Sequence, residues 1–129
     1  MIPKFRLFDK VDRQMRVVHV IDMYLNEITC YEPNNHDYTH EDTYHYEEES
    51  LKGVILMQST GLHDVNGKEI YEGDILEIAY DDIHGEANVY DVVAKSPFDY
   101  SLTEANWLNH SYQIEIIGNI HEHSHLLEK

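Results

Sequence analysis

This chain has one cysteine, three prolines and six glycines in 129 residues, and only nine lysines and arginines. The lone thiol, Cys30, excludes an internal disulfide and a cysteine-based zinc site. No apolar run approaches the ~20 residues that span a bilayer as a helix. The opening residues also lack the apolar core of a signal peptide, so a reducing cytoplasm is the expected location. Neither Gly-x-Gly-x-x-Gly nor a P-loop occurs, which removes the usual phosphate cradles. Ser59 and Thr60 have no base beside them, and Cys30 has no neighbouring histidine or cation, so nothing points to an activated nucleophile.

Acidic charge is what the chain does have. Twenty-five Asp and Glu set against nine cations give a net charge of −16. Such a surface repels nucleic-acid phosphate and anionic membranes, because association would bring like charges together. The cations are unevenly placed. Lys4, Arg6, Lys10, Arg13 and Arg16 crowd the first sixteen residues, whereas Lys95 stands alone between Glu72 and Leu127. An electrically lopsided molecule is expected. An apolar share of 42% is ordinary for a globular protein, and the length suits a single domain over 1–129.

The chain reads as strands and turns. Phe5 and Leu7 alternate with Lys4 and Arg6, residues 9–13 carry turn chemistry, and residues 15–21 resume as a β-branched strand, which predicts an N-terminal hairpin over 1–25. His19 lies inside that second strand, where packing at a sheet face or edge is expected. Residues 31–50 hold seven carboxylates, no cations, His36, His40 and His45, and Tyr31, Tyr38, Tyr44 and Tyr46. Few aliphatic anchors are present to offset ordering entropy, so a mobile acidic loop or insertion is expected there, although Tyr44 and Tyr46 alternate around His45 as in a short strand. A β core is expected over 54–122, with strands near 54–58, 75–80, 87–94 and 112–120. Gly67 and Gly73 mark its turns. Ser101 and Glu104 have capping-box spacing, which predicts a short helix over 102–108. The fold class is mainly β, or β-dominated α+β if that helix is counted.

Three stretches resemble the YopX-like family of phage and prophage proteins. They are the opening Pro3-Lys4-Phe5-Arg6-Leu7-Phe8-Asp9-Lys10, the central run from Leu56 through Met57-Gln58-Ser59-Thr60-Gly61-Leu62-His63-Asp64-Val65-Asn66-Gly67-Lys68-Glu69-Ile70-Tyr71-Glu72-Gly73-Asp74 to Ile75, and the closing Ile114-Glu115-Ile116-Ile117-Gly118-Asn119-Ile120-His121-Glu122. The resemblance implies a compact, partly open SH3-like β-barrel with the hairpin packed on it, and the cytoplasm of a bacterial host. It implies no reaction, no cofactor and no assigned active site.

Three groups of residues are candidates for chemistry. His121, His123 and His125 alternate, so an extended strand would turn their rings to one face as Zn²⁺ or Ni²⁺ ligands. Position near the chain's end argues against a built metal centre. His36, His40, Glu41, Asp42 and His45 have the spacing of a helix face but lack a sequence that would hold one. Glu69, Glu72 and Asp74 could support hydrolysis if their environments split their pKa values, though carboxylates at turns more often complete local hydrogen bonds. Asp64 is expected to accept backbone N–H groups two or three residues on. No catalytic, cofactor or metal residue is therefore assigned. The leading expectation is a non-enzymatic protein–protein interaction module whose partner is a host or phage protein, with a homo-oligomer as a second route. A hydrolase or nucleotide-processing enzyme using Glu72 and Asp74, and an acidic nucleic-acid mimic, are the alternatives from other classes.

Overall fold

The computed structural model describes residues 4–32, 43–81, 84–95, 100, 101, 104, 108, 111 and 113–127. Antiparallel strands account for most of them. The chain divides into two compact units, 1–58 and 59–129.

The first unit is an antiparallel sheet built on the expected hairpin. Strand β1 (Phe5–Asp9) pairs with β2 (Gln14–Asp22), which pairs with β3 (Glu27–Tyr31), which pairs with β4 (Thr43–Glu47). The other edge of β1 pairs with residues 54–58 at the start of β5 (Val54–His63). Asp9 tightens the β1–β2 turn, its Oδ1 accepting the N–H groups of Val11 at 2.8 Å and Asp12 at 3.3 Å. The register between β2 and β3 slips from Val18 to Val20. His19 is thus the extra residue of a β-bulge, its ring exposed and 4.7 Å from that of Tyr31. Leu7, Ile28, Cys30 and Tyr46 form the core, with Val18, Ile21, Leu51 and Val54 packed on it. Each such aliphatic side chain withdrawn from water contributes about 1.5–3 kcal/mol before entropy is counted.

For residues 43–50 the structure departs from the expected loop. They form β4 and the single helical turn α1 (Glu48–Leu51). Tyr46 supplies the anchor that aliphatic residues do not: its ring is buried, and its hydroxyl reaches Asp9 and Arg16. Residues 33–42, including His36, His40, Glu41 and Asp42, lie outside the described residues.

The second unit centres on β7 (Asp74–Asp81), flanked by β8 (Ala87–Val93) and β9 (Gln113–Asn119). Short β6 (Glu69–Tyr71) pairs with the later residues of β5. Ile75, Leu76 and Ile78 of the central strand are buried, and Ile70, Leu76, Ile78, Val92 and Ala94 form this unit's core. Gly67 and Gly73 take φ of 81° and 90°, the left-handed values their turns need. Ser101 and Glu104 make the expected capping box: the Ser101 N–H donates to Glu104 Oε1 at 3.0 Å, and the Glu104 N–H donates to Ser101 Oγ at 3.1 Å. Glu104 and Leu108 are helical, and the other residues of the expected helix over 102–108 lie outside the described ones. Among the described residues the strands make two antiparallel sheets that do not close into a barrel, and no helix is long and apolar enough to cross a membrane.

The chain's closing histidines do not alternate along a strand. Residues 120–122 form a turn and Ser124–Leu127 a 3₁₀ turn, which bends the chain back on itself. The Asn119 side chain organises the bend, its Oδ1 accepting the N–H groups of His121 and Glu122 at 3.0 and 2.9 Å. The Asn119 N–H donates to His123 Nδ1 at 3.1 Å, which puts that ring's proton on Nε2. His123 lies directly over Gly118, where an added Cβ would stand 2.8 Å from the histidine Cβ. Gly118→Ala is therefore expected to push the ring away, break this hydrogen bond and cost about 1–3 kcal/mol. The check is a double-mutant cycle in urea: the cost shrinks in a His123→Gly background, which removes the opposing Cβ and ring together, and an unchanged cost would rule out the clash.

Candidate functional site

In the first unit, polar residues gather around one guanidinium. Arg16 is 3% exposed. It donates from one terminal nitrogen to Tyr46 Oη at 2.8 Å and Asp9 Oδ2 at 3.3 Å, and from the other to Asp12 Oδ2 at 2.6 Å. Its Nε lies 3.6 Å from Glu32 Oε1, and its guanidinium carbon lies 3.8 Å over the Tyr44 ring. The Tyr46 hydroxyl donates in turn to Asp9 Oδ2 at 2.9 Å. Burial opposes ionisation of Asp9, but the bonds from Tyr46 and from the Val11 and Asp12 N–H groups outweigh it and hold the carboxyl below its usual range. Burial, followed by the bond to Asp9, pushes the Tyr46 phenol up. Burial likewise pushes the Cys30 thiol up to about 12. Cys30 is a core residue with no thiolate to offer at neutral pH.

The cation cluster of the hairpin is reduced accordingly. Arg16 spends its charge inside the fold on Asp9, Asp12 and Glu32, so five clustered cations in sequence are not five cations at the surface.

The β2–β3 turn offers a surface of another kind. Met23, Tyr24 and Leu25 are 85%, 95% and 57% exposed. They are held out by a braced backbone: Asp22 Oδ1 accepts the N–H groups of Tyr24 and Leu25 at 3.0 and 2.9 Å, and Asn26 closes the turn at φ 59°. Leu25 forms one lip of an open groove of about 590 Å³ lined also by Glu27, Glu47, Glu48, Glu49 and Ser50. Lys52, 2.9 Å from Glu49 Oε1, partly offsets that charge. A fixed apolar tip beside an acidic groove is the most distinctive surface of this unit.

In the second unit the family-like carboxylates serve the backbone. Asp64 Oδ1 accepts the N–H groups of Asn66 and Lys68, both at 2.9 Å, and Oδ2 accepts the Ile116 N–H at 3.0 Å. Burial works against its charge, but these three bonds win and hold its carboxyl below the usual range. The Val65 N–H donates to the Ile114 carbonyl, so Asp64 and Val65 together cover the outer edge of β9. Asp74 is 2% exposed, and its Oδ2 accepts the Tyr71 N–H at 2.8 Å. Thr60 Oγ1 donates to the Ile70 carbonyl at 2.7 Å, and Ser59 Oγ accepts the Gly61 N–H at 3.1 Å. These are turn-building contacts. Asp74 is thus buried and accepts a backbone N–H, whereas Glu72 is half-buried.

Sequence reasoning reached Asp64 through its turn chemistry. It missed the burial of Arg16 and the apolar tip at 23–25. The signal for the tip was present: three large apolar residues sit between Asp22 and Asn26, both turn formers.

The fold and these contacts define a small antiparallel β protein of two units, with structural carboxylates in its turns and an acidic groove in its first unit. The family described as YopX protein matches residues 4–128, nearly the whole chain, and the chain belongs to that family. It is also similar to protein EF1440 from Enterococcus faecalis, known from a crystal structure. The two are 27% identical, with a TM-score of 0.53 over 98% of this chain and 99% of that one. No curated protein matches the chain.

Proposed function

We propose that this protein is a non-enzymatic interaction module, an accessory protein of phage or prophage origin that binds a basic segment of another protein. The carrying observation is the braced tip Met23-Tyr24-Leu25 beside the groove of Glu27, Glu47, Glu48 and Glu49. Tyrosine and leucine on a rigid turn bury area at little entropic cost. The carboxylates behind them would meet lysine or arginine and speed encounter at low salt. Neither the family description nor the name of the similar structure states an activity.

The test is capture from nuclease-treated bacterial lysate with three baits: the native protein, Tyr24→Ser/Leu25→Ser, and Glu47→Gln/Glu48→Gln/Glu49→Gln. A basic protein held by the native bait in stoichiometric amount, weakened at least ~10-fold by either set of substitutions and released at high salt, supports the reading. A partner retained equally by all three baits places contact elsewhere and overturns it.

A further inference from the structure

Three metal-ligating side chains of the first unit converge on one face of its sheet. Glu27 stands opposite Glu47 across the β3–β4 ladder, and Thr29 stands opposite His45. Alternation along each strand puts all four on the face opposite Ile28, Cys30 and Tyr46, which fill the core. His45 Nε2 is 3.4 Å from Glu27 Oε2 and 3.9 Å from Glu47 Oε2. Among the described residues, this is the group of three donors within reach of one ion.

The distances decide what the cluster is suited to. They exceed the about 2.7–3.2 Å of an N–H···O hydrogen bond. The shorter matches the edge of a tetrahedron of donors, about 3.3–3.4 Å for Zn–N and Zn–O distances of about 2.0–2.1 Å, and the exposed Glu47 carboxylate would have to turn inward to shorten the longer one. Two carboxylates facing each other on neighbouring strands also repel, and a cation held between them would reverse the sign of that interaction. Thr29 Oγ1 lies 3.3 Å from His45 Nδ1. Its contact there leaves Nε2 directed at the carboxylates, as outer partners do for ligating histidines.

We propose that Glu27, His45 and Glu47 form a binding site for a divalent transition-metal cation. One imidazole and two carboxylates suit Zn²⁺ and exclude a preference for Mg²⁺ or Ca²⁺, which favour all-oxygen shells. Glu27 and Glu47 also form part of the wall of the acidic groove. The site shares Glu27 and Glu47 with the acidic groove, so a bound cation and a basic segment would compete for them, but titration of the isolated protein reads the cation alone.

Calorimetric titration of the purified full chain with Zn²⁺ tests this, alongside the visible spectrum with Co²⁺ as a stand-in. One ion per chain at micromolar concentration is expected, with tetrahedral Co²⁺ bands. Affinity should fall about 10–100-fold in Glu27→Gln and in His45→Gln, and should hold in His121→Ala/His125→Ala, which removes two of the three tail histidines. All three ligands are at least partly exposed, so these variants should fold, and far-UV circular dichroism verifies that they do. Absence of saturable binding, affinity undiminished in His45→Gln, or binding lost only in the tail variant would each overturn the site.

Discussion

Replacing Arg16 by methionine is expected to lower the stability of the first unit by about 3 kcal/mol. Losing one member of a buried ion pair typically costs about 3–5 kcal/mol, because the partner charge is left without compensation. The lower end applies here, since Asp12 and Glu32 are 43% and 41% exposed and can turn to water. Asp9, 14% exposed, cannot do so as easily, and Tyr46 loses an acceptor role it fills only for Arg16. Arg16→Lys should recover little, because one ammonium cannot reach Asp9, Asp12 and Tyr46 together while also stacking on Tyr44. Urea denaturation, followed by tyrosine fluorescence, measures both variants. A loss below ~1 kcal/mol in Arg16→Met would mean that water replaces the guanidinium without strain.

Asp64→Ala is expected to cost the second unit about 3 kcal/mol, since three backbone N–H groups lose their acceptor at once and each such loss is worth about 1 kcal/mol. Asp64→Asn should fall between that variant and the native protein, because its amide presents a donor where at least one N–H needs an acceptor. The pH dependence carries its own sign. The folded carboxyl titrates below its unfolded value of about 3.9. Its contribution is therefore complete above about pH 4 and is lost as pH falls through the folded pKa. The native protein should weaken through that window, and Asp64→Asn should show a flatter curve there. Equal slopes for the two would show that Asp64 is not held by these bonds.

These two residues also mark how far a sequence can be read. Asp64 and Gly67 declare a turn through chemistry confined to five residues, and the carboxylate does accept the N–H groups of Asn66 and Lys68. Its third bond, to Ile116, lies 52 residues away and had no local sign. Arg16 read as one of five clustered cations. Its partners Asp9 and Asp12 were visible nearby, but the acceptor that helps to bury it, Tyr46, comes from a segment whose composition pointed to a loop. Residues 43–50 depart from that loop because aliphatic content measures self-sufficiency, whereas β4 borrows its stability from β3 and from the Arg16 network.

The closing histidines show the same limit from the other side. Their alternation matters only in an extended chain, and Asn119 folds that stretch into turns, which leaves the His123 and His125 rings 6.2 Å apart in an edge-on contact. His45 had no ligand partner recognisable from spacing. Glu27, eighteen positions earlier, reaches it only because β3 and β4 pair in a register that sets Thr29 against His45.

Alternation, β-branched runs and turn residues were sufficient for the strands of the hairpin and of the second unit, because period-two burial and left-handed turns are local physics. Family membership was equally legible, since its motif is contiguous. Strand pairing alone decided that Arg16 is interior, that residues 43–47 are a strand, and that Glu27, His45 and Glu47 share a face. Those outcomes depend on hydrogen-bond register between segments far apart in the chain, and register is settled only when the whole sheet forms.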